Sequence, residues 1–467
     1  RQEVGIVLPR RQQPVDVDTI LEGLRSLSVD RINEIAREAH PGDVEVAFER
    51  LDDSDREEVM ALLPAEVLSA WADYLPAADV EKRLETLPRT EQREVLESLS
   101  DDELVDLLQE MEEEDRPQYI ELLGEEKRQV SEDLMRYPEE TAGGRMTMAM
   151  ATVRENLSVE EALRQLEAVR DEAEILSRIF VVDQDSRLLG KVRLRDLAFS
   201  DRKTPISELM DSDQISVSAM ADQEEAAQMV ARYDLMALPV IDEEGRVIGV
   251  ITHDDALEIL EEESTEDMER ISGIGGYGEL AYLQTSAVAH FKRRFGWIVA
   301  LAFMALCSGF ILHAFESILK SYYILALYLP MVVAAGGNTG AQSATMVIRA
   351  MSLGELDTRE FWRVLWKEGR VGIMLGSLLG LCVFLQINFL LPSTFDTGTV
   401  SAFKVGLVVG FALMAQVLTS TLIGAGLPVA AKRINLDPAV VASPAITTLV
   451  DMSGSVIYFG LAGWLFG

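Results

Sequence analysis

Cysteine, histidine and basic residues are all scarce in this sequence. Its 467 residues hold 2 cysteines and 4 histidines. Cys307 and Cys382 both fall in apolar runs rather than in a spaced framework, which supports neither a disulfide scaffold nor a zinc site. Bases are outnumbered by acids, 42 Lys and Arg against 78 Asp and Glu. That balance argues against nucleic acid, whose affinity comes from Lys and Arg neutralising phosphates, and favours cations as partners. No secretory signal opens the sequence, so the first apolar helix is expected to act as the targeting signal.

The imbalance is unevenly placed. From Phe291 onward there are 8 acids and 12 bases, which leaves 70 acids and 30 bases before it. A strongly acidic part made for water precedes an apolar part made for lipid.

In residues 1–137, apolar residues recur at helical spacing from about Val15 to Tyr137. The pattern is broken at LLP (residues 62–64), at LP (75–76) and at LP (87–88). Proline cannot continue a helix, so each marks a corner between short helices, and regular corners suggest a stacked array of helical hairpins. Ser100 followed by Glu103 reads as a capping box, which sets Asp102 and Asp106 four apart on one helix face. By spacing alone such a pair is solvated helix surface.

Residues 138–262 repeat themselves. SVEEALRQL followed by RIFVVDQDSRLLGKVRLRDL is echoed by DQEEAAQMV followed by ALPVIDEEGRVIGVITHDDA. Each copy reads as a helix, two β-rich runs joined by a polar turn, and a further helix, with residues 179–182 and 238–241 as buried strands. This resembles a tandem pair of CBS modules, a fold that often binds adenine nucleotides and regulates an attached domain. In that resemblance Thr252 and Asp255 match the positions that hold a ribose. The first copy has Asp196 at the acid position but Arg193 where Thr would stand.

Residues 263–291 form a connector. The stretch from Asp254 to about Phe291 reads as one long helix whose start is dense in acid, and like charges at i, i+3 and i+4 repel. Cations or a basic surface would relieve that strain; a solvated connecting helix is the plain alternative. GIGGYG (residues 273–278) interrupts the stretch as a joint and lacks the preceding strand of a dinucleotide loop.

Residues 292–467 contain five apolar runs: about 297–312, 322–348, 371–391, 405–429 and 439–466. Most are long enough for a hydrocarbon core of ~30 Å, and the first is near the lower limit. Lys292, Arg293 and Arg294 precede the first. Arg349, Arg359, Arg363, Lys367 and Arg370 lie between the second and third, and Lys432 and Arg433 between the fourth and fifth. By the positive-inside rule the acidic domains are cytoplasmic and the carboxyl terminus is outside. LDTREFWRVLWKEGR (residues 356–370) alternates aromatics with charges as an interfacial helix would; a plain loop helix is the alternative.

The second run carries Pro330 and then Gly336, Gly337, Asn338, Thr339 and Gly340. Consecutive glycines there permit either irregular backbone lining a wet cavity or close helix packing. The fourth offers Gln416, Thr419, Ser420 and Thr421. The fifth offers Ser443, Thr447, Thr448 and Asp451, and Pro444 would free an upstream carbonyl. A carboxylate at membrane depth costs ~3 kcal/mol unless it meets water, a partner or an ion, so Asp451 is either a structural acid or a cation ligand. One carboxylate among hydroxyls and carbonyls, with no His or Cys, suits Mg²⁺ or another hard cation held through its waters.

The order of parts, with GGNTGAQSAT and a late SPAITTLVDMSG, resembles the MgtE family of bacterial Mg²⁺ channels and transporters over nearly the whole chain. The fold class that follows is multidomain: a cytosolic all-α superhelical domain, an α/β tandem CBS pair, a connecting plug helix and a five-helix transmembrane domain. The resemblance implies a homodimer in the bacterial inner membrane, bathed in lipid, with its pore on the two-fold axis. There Asp451 would face a hydrated Mg²⁺, joined by main-chain oxygens at Ser443 and Thr447; Ser443 stands where a family member has Asn. The pore would be lined further by Gly336, Gly337, Asn338, Thr339, Gly340, Pro444 and Gly454.

It implies also that cytoplasmic Mg²⁺ closes the pore. The sensing positions are Asp102 and Asp106 in the helical domain, Asp222, Glu224 and Asp234 in the second CBS copy, and Asp255, Glu258, Glu263, Glu266 and Asp267 on the connector. One further family acid falls at Ala70. ATP is a second ligand expected at the CBS pair, through Asp196, Thr252 and Asp255; Asp255 belongs to both the nucleotide and the metal readings. The rival readings are a carrier for Mn²⁺ or Co²⁺, and a Mg²⁺ sensor that conducts nothing. An enzyme is disfavoured, since only His290 and His313 lie near apolar runs.

Overall fold

Proline sets the corners of the amino-terminal helices. In the computed structural model, which describes residues 15–111, 114–169, 175–274, 285–390, 400–434, 436–439 and 443–466, Pro64, Pro76 and Pro88 each occupy the N-cap position of the helix that follows. A helix start needs no N–H from that residue, so proline ends one helix and admits the next. The helices are α1 (Val17–Arg25), α2 (Val29–Glu38), α3 (Pro41–Glu49), α4 (Asp53–Leu62), α5 (Ala65–Trp71), α6 (Ala77–Thr86), α7 (Arg89–Ser98), α8 (Asp101–Glu110), α9 (Arg116–Ile120) and α10 (Glu125–Leu134). They enclose one core around Phe48, Leu68, Trp71, Leu84 and Leu96. At the head of α8 the capping box forms: the Ser100 N–H donates to Glu103 Oε2 at 2.6 Å and the Glu103 N–H to Ser100 Oγ at 3.4 Å.

The repeat builds two sheets of the same topology. β1 (Met150–Arg154) runs parallel to β2 (Ile175–Val182), which pairs antiparallel with β3 (Leu188–Arg193). β4 (Val217–Ser218), β5 (Ala237–Ile241) and β6 (Val247–Thr252) do likewise. The equivalence extends to the turns. Asp183 Oδ1 accepts from the N–H groups of Asp185 and Arg187, and Asp242 Oδ1 from those of Glu244 and Arg246. Ser186 and Gly245 both have positive φ, 63° and 80°. Helices α11 (Val159–Ala168), α12 (Leu194–Phe199), α13 (Ile206–Leu209) and α14 (Gln223–Tyr233) flank the strands. Val105 of α8 and Leu134 of α10 share a core with Val217, Leu238 and Ile251, so helical array and second CBS copy are packed as one body.

Contacts divide the chain into two units, Arg1–Glu263 with Gly278–Thr285, and Ser264–Tyr277 with Ser286–Gly467. Helix α15 (His253–Ile271) begins in the first. It does not run on to Phe291 as one helix; it stops where the sequence places the GIGGYG joint. Gly273 at φ 71° closes it in a Schellman motif: its N–H donates to Arg270 O, and the Ile274 N–H to Glu269 O, both at 2.9 Å. A left-handed residue after the last turn is the standard glycine stop. Residues 275–284, which include the end of GIGGYG, lie outside the described residues, and Phe291 belongs to the next helix.

In the second unit, α16 (Ala287–Ala314), α17 (Glu316–Ser321), α18 (Ile324–Ser352), α19 (Phe361–Leu385), α20 (Ala402–Arg433) and α21 (Ser443–Phe466) follow one another. All but α17 are long and apolar enough to cross a membrane. The helices outrun their apolar stretches because charged residues at the ends keep helical conformation. Thus α16 is 28 residues long, not at the lower limit. The stretch 356–370 is no separate interfacial helix: from Phe361 it forms the opening turns of α19, since nothing in it stops a helix. Pro444 stands in the first turn of α21, where it breaks nothing.

The glycines of residues 336–340 leave α18 unbroken, which decides for close packing over irregular backbone. A Cβ on Gly424 of α20 would lie 2.2 Å from Gly340 O, so the two backbones touch. Farther along, Gly380 of α19 and Gly410 of α20 meet in the same way, a Cβ on Gly380 falling 2.5 Å from Gly410 O. Small residues permit such approach between membrane helices. Tyr328, Val332, Leu413, Val417, Tyr458 and Phe459 fill the space between α18, α20 and α21.

Candidate ion sites

Asp451 lies in the ninth position of a 24-residue apolar helix and is half-buried. Opposite it α18 presents Gly337: a Cβ there would fall 3.8 Å from Asp451 Oδ1 and 3.2 Å from Thr447 Cγ2. The missing side chain keeps room beside the carboxylate, and Thr447, one turn earlier on α21, shares that face. Thr339 Oγ1 lies 2.6 Å from Ser420 Oγ and donates to Ala335 O at 2.9 Å. Asn338 is exposed in the single chain. Gly336 and Gly454 both face Gln416 of α20, and Gly340 faces Ser420 O and Ile446. Ser443 and Pro444 open α21, and their side chains lie outside the described residues. The structure therefore brings Gly337, Thr447 and Asp451 together, with Thr339 at the α18–α20 contact.

Another acid of the membrane unit escapes a sequence reading that treats its surroundings as an interfacial helix. Glu368 is in α19, and Ser343 Oγ lies within hydrogen-bond distance of its Oε2, at 2.7 Å, and of Thr421 O, at 3.0 Å.

In the first unit the acids gather around α8 and the start of α15. Burial first, then the charges of Glu103, Glu258, Asp102 and Asp106, push Asp73 up to about 7. Asp106 is likewise pushed up to about 7 by burial, against the pull of Arg145. Asp255 rises to about 6 by burial and the nearby Asp102, while Thr252 holds it down. Asp102 Oδ1 is buried with no hydrogen-bond partner among the described residues. Glu45 is raised too, by burial and then by Glu49, Glu258 and Glu261. Like charges this close add to burial in disfavouring ionisation of Asp73, Asp106, Asp255 and Glu45, and a dication would oppose that.

Asp73 is the residue that sequence reasoning missed. The resemblance points to Ala70, which packs against the helical core; the acid stands one turn later, in the 3₁₀ turn Ala72–Tyr74. Arg145 is the other. It pairs with Glu262, stands 3.8 Å from Asp106 Oδ2, and donates from Nε to Gln223 Oε1 at 2.9 Å, while Gln223 Nε2 donates to Glu263 Oε1 at 2.5 Å.

The remaining sensor candidates sit apart from this cluster or hold other partners. Asp222 is the N-cap of α14, accepting from the Glu224 N–H at 2.8 Å; Glu224 Oε1 accepts from Gln228 Nε2 at 3.0 Å. Asp234 caps the far end of α14 at φ 52°. In the second unit Arg270 pairs with Glu266 and with Asp437, Arg293 pairs with Glu269, and Ser352 Oγ donates to Asp267 Oδ2 at 2.8 Å. Thr252 and Asp255 form a capping box across the start of α15, with Thr252 N and Oγ1 donating to Asp255 Oδ2 at 3.0 and 2.5 Å. Asp196 lies in the first turn of α12. Among the described residues no three His, Cys, Asp or Glu side chains converge as chelating ligands. Acids near enough to perturb one another but too spread to strip an ion suit a cation that keeps its waters.

These features define a multispan membrane protein with a CBS pair and an acidic helical domain. Residues 39–140 match a family profile described as the MgtE intracellular N domain, 142–201 and 206–262 match CBS domains, and 329–461 match a profile described as divalent cation transporter. The magnesium transporter MgtE of Thermus thermophilus is 39% identical over 336 residues, 71% of each chain. That of Bacillus subtilis is 32% identical over 334 residues, 70% of each. The crystal structure of the cytosolic domain of the Mg²⁺ channel MgtE in complex with ATP covers 52% of this chain and all of its own at 38% identity, with a TM-score of 0.47. The chain belongs to the MgtE family of magnesium transporters, which are not enzymes.

Proposed function

We propose that this chain imports Mg²⁺ across a bacterial inner membrane as a homodimeric channel, its soluble domains in the cytoplasm, and that cytoplasmic Mg²⁺ closes it. The observation that carries the reading is Asp451, an acid in an apolar helix with the side-chain-free Gly337 opposite and Thr447 beside it. A hydrated Mg²⁺ would be held through its waters by the Asp451 carboxylate, with main-chain oxygens at Ser443 and Thr447 completing the ring across the two-fold axis. Family membership supports Mg²⁺ over Mn²⁺ or Co²⁺ as the ion carried.

The acids of the first unit fit the closing ion. Asp73, Asp106 and Asp255 are raised by burial and then by neighbouring carboxylates, Asp102 and Glu258 among them, and bound Mg²⁺ would remove that repulsion. A ligand held more tightly by the compact state shifts the population toward it. Glu263, Glu266 and Asp267 continue along the same helix, and Asp222, Glu224 and Asp234 at the ends of α14 would be drawn in from the CBS pair. An adenine nucleotide would bind the CBS pair beside Thr252 and Asp255, at the capping box that starts α15.

The test is Mg²⁺ influx into liposomes while only the Mg²⁺ facing the soluble domains is varied. Influx should fall as that concentration rises, and Asp451→Asn should abolish it. Undiminished influx in D451N would remove the pore assignment; influx indifferent to Mg²⁺ on that side would remove the sensor.

A further inference from the structure

Gln416 is completely buried in α20, an amide amid apolar side chains. Its Nε2 donates to Val450 O at 2.7 Å, the carbonyl immediately before Asp451. Its Oε1 finds no hydrogen-bond partner among the described residues, so burying this amide is costly, and the Val450 bond is its only return in the described structure. Two helices make way for it. A Cβ on Gly336 of α18 would lie 2.4 Å from Gln416 Nε2, and one on Gly454 of α21 would lie 2.6 Å from the same atom. At Gly454 the three nearest atoms all belong to Gln416.

We infer that Gln416 is the positioning residue for Asp451, a side-chain bridge from α20 that fixes the rotation of α21 about its axis and so aims the carboxylate beside Gly337. The inference rests on the reading of Asp451 as the ion site. Successive residues on a helix are turned by ~100°, so a grip on the backbone of residue 450 governs where the side chain of residue 451 points. Val450 O also accepts from Ser453 Oγ at 3.0 Å, and Ser455 Oγ donates to Asp451 O at 3.0 Å. These two bonds lie within α21 and cannot orient it against its neighbours; the Gln416 bond can. Gly336 and Gly454 are then clearance for this amide.

A misaimed carboxylate should change how well the ion is held more than how much protein folds. Displacement of a positioned group by about 1 Å commonly costs ten- to a hundredfold. The experiment measures Mg²⁺ influx in liposomes for the full chain and for Gln416→Met, Gly454→Ala, Gln416→Ala and the double variant Q416A/G454A, with D451N alongside and folded dimer quantified by gel filtration. Q416M and G454A are expected to raise the half-saturating Mg²⁺ about tenfold per folded protein, beyond any change in maximal flux. The double variant should match Q416A alone, because the atoms nearest the added methyl belong to the side chain already removed.

Unchanged half-saturation in Q416M and G454A would overturn the inference, as would loss of folded protein with no shift in what survives. So would additive damage in the double variant. Undiminished flux in D451N would instead sink the underlying pore assignment, which the Gln416 variants do not test.

Discussion

Replacing Arg145 by methionine removes a basic side chain that pairs with both Asp106 and Glu262. Its side chain is 19% exposed, that of Glu262 25% and that of Asp106 37%. Such a pair should be worth more than the ~0–1 kcal/mol of a surface ion pair and less than the ~3–5 kcal/mol lost when one partner of a fully buried pair is removed. A loss of ~1–3 kcal/mol in the cohesion of α8 with the start of α15 follows, where ~1.4 kcal/mol is a factor of ten in an opening equilibrium. Mg²⁺ at about a hundred times its dissociation constant contributes ~2.7 kcal/mol, enough to offset it.

The assay is amide hydrogen exchange of residues 101–110 and 253–263 in the full chain, in chelator and in saturating Mg²⁺. R145M should speed exchange about tenfold in chelator and lose most of that excess in Mg²⁺. R145K should fall between, since an ammonium lacks the fork that reaches several partners. Exchange unaltered in chelator, or raised equally with and without Mg²⁺, would refute the view of Arg145 as a tethered counterion for these acids.

The same cluster should respond to pH. Asp73 and Asp106 at about 7 and Asp255 at about 6 lie above the usual carboxylate range, so their protonated forms favour the packed state. That contribution is complete below about pH 4 and is lost as pH rises through about 7. Exchange of residues 101–110 in chelator should quicken across that window, and Mg²⁺ should flatten the profile; a profile flat in chelator would contradict it. In the membrane unit, Gly424→Ala forces a methyl to within 2.2 Å of a backbone oxygen, whereas a Cβ on Gly460 meets nothing within 4 Å. G424A should cost ~1–3 kcal/mol or more and lower the melting temperature in detergent, while G460A should not. Equal melting of the two would refute the Gly340–Gly424 crossing.

Local signals were read correctly where the chain's neighbours in sequence are also its neighbours in space. Pro64, Pro76 and Pro88 announce corners, Ser100 and Glu103 announce a helix start, and the paired QDSR and EEGR turns announce the duplicated sheet. Asp73 is invisible in sequence because its character comes from burial and then from Glu103, Glu258, Asp102 and Asp106, which no spacing rule connects to it. Gln416 was legible as a polar group in an apolar helix, but its grip on Val450 O depends on two glycines in two other helices. The connector is half legible: GIGGYG marks the joint, but a run of acids with helical spacing looks the same whether or not the glycine beyond it turns left-handed and ends the helix. The opening turns of α19 were misjudged because alternating charge and apolar side chains describe a surface without saying where the helix ends.

Helix α16 has no buried residue in the single chain, yet it contains the stretch of highest mean hydropathy among the five membrane-crossing candidates. By contrast α18 and α20 carry buried Ser343, Gln416, Ser420 and Thr421, groups that hydrocarbon tolerates only when other helices answer them. This difference bears on biogenesis. The first span can leave the translocon and rest in lipid with no partner, holding the chain's orientation through Lys292, Arg293 and Arg294. The later spans are poorer solutes for a bilayer one at a time, and would be released as a group once the fourth and fifth have been synthesised.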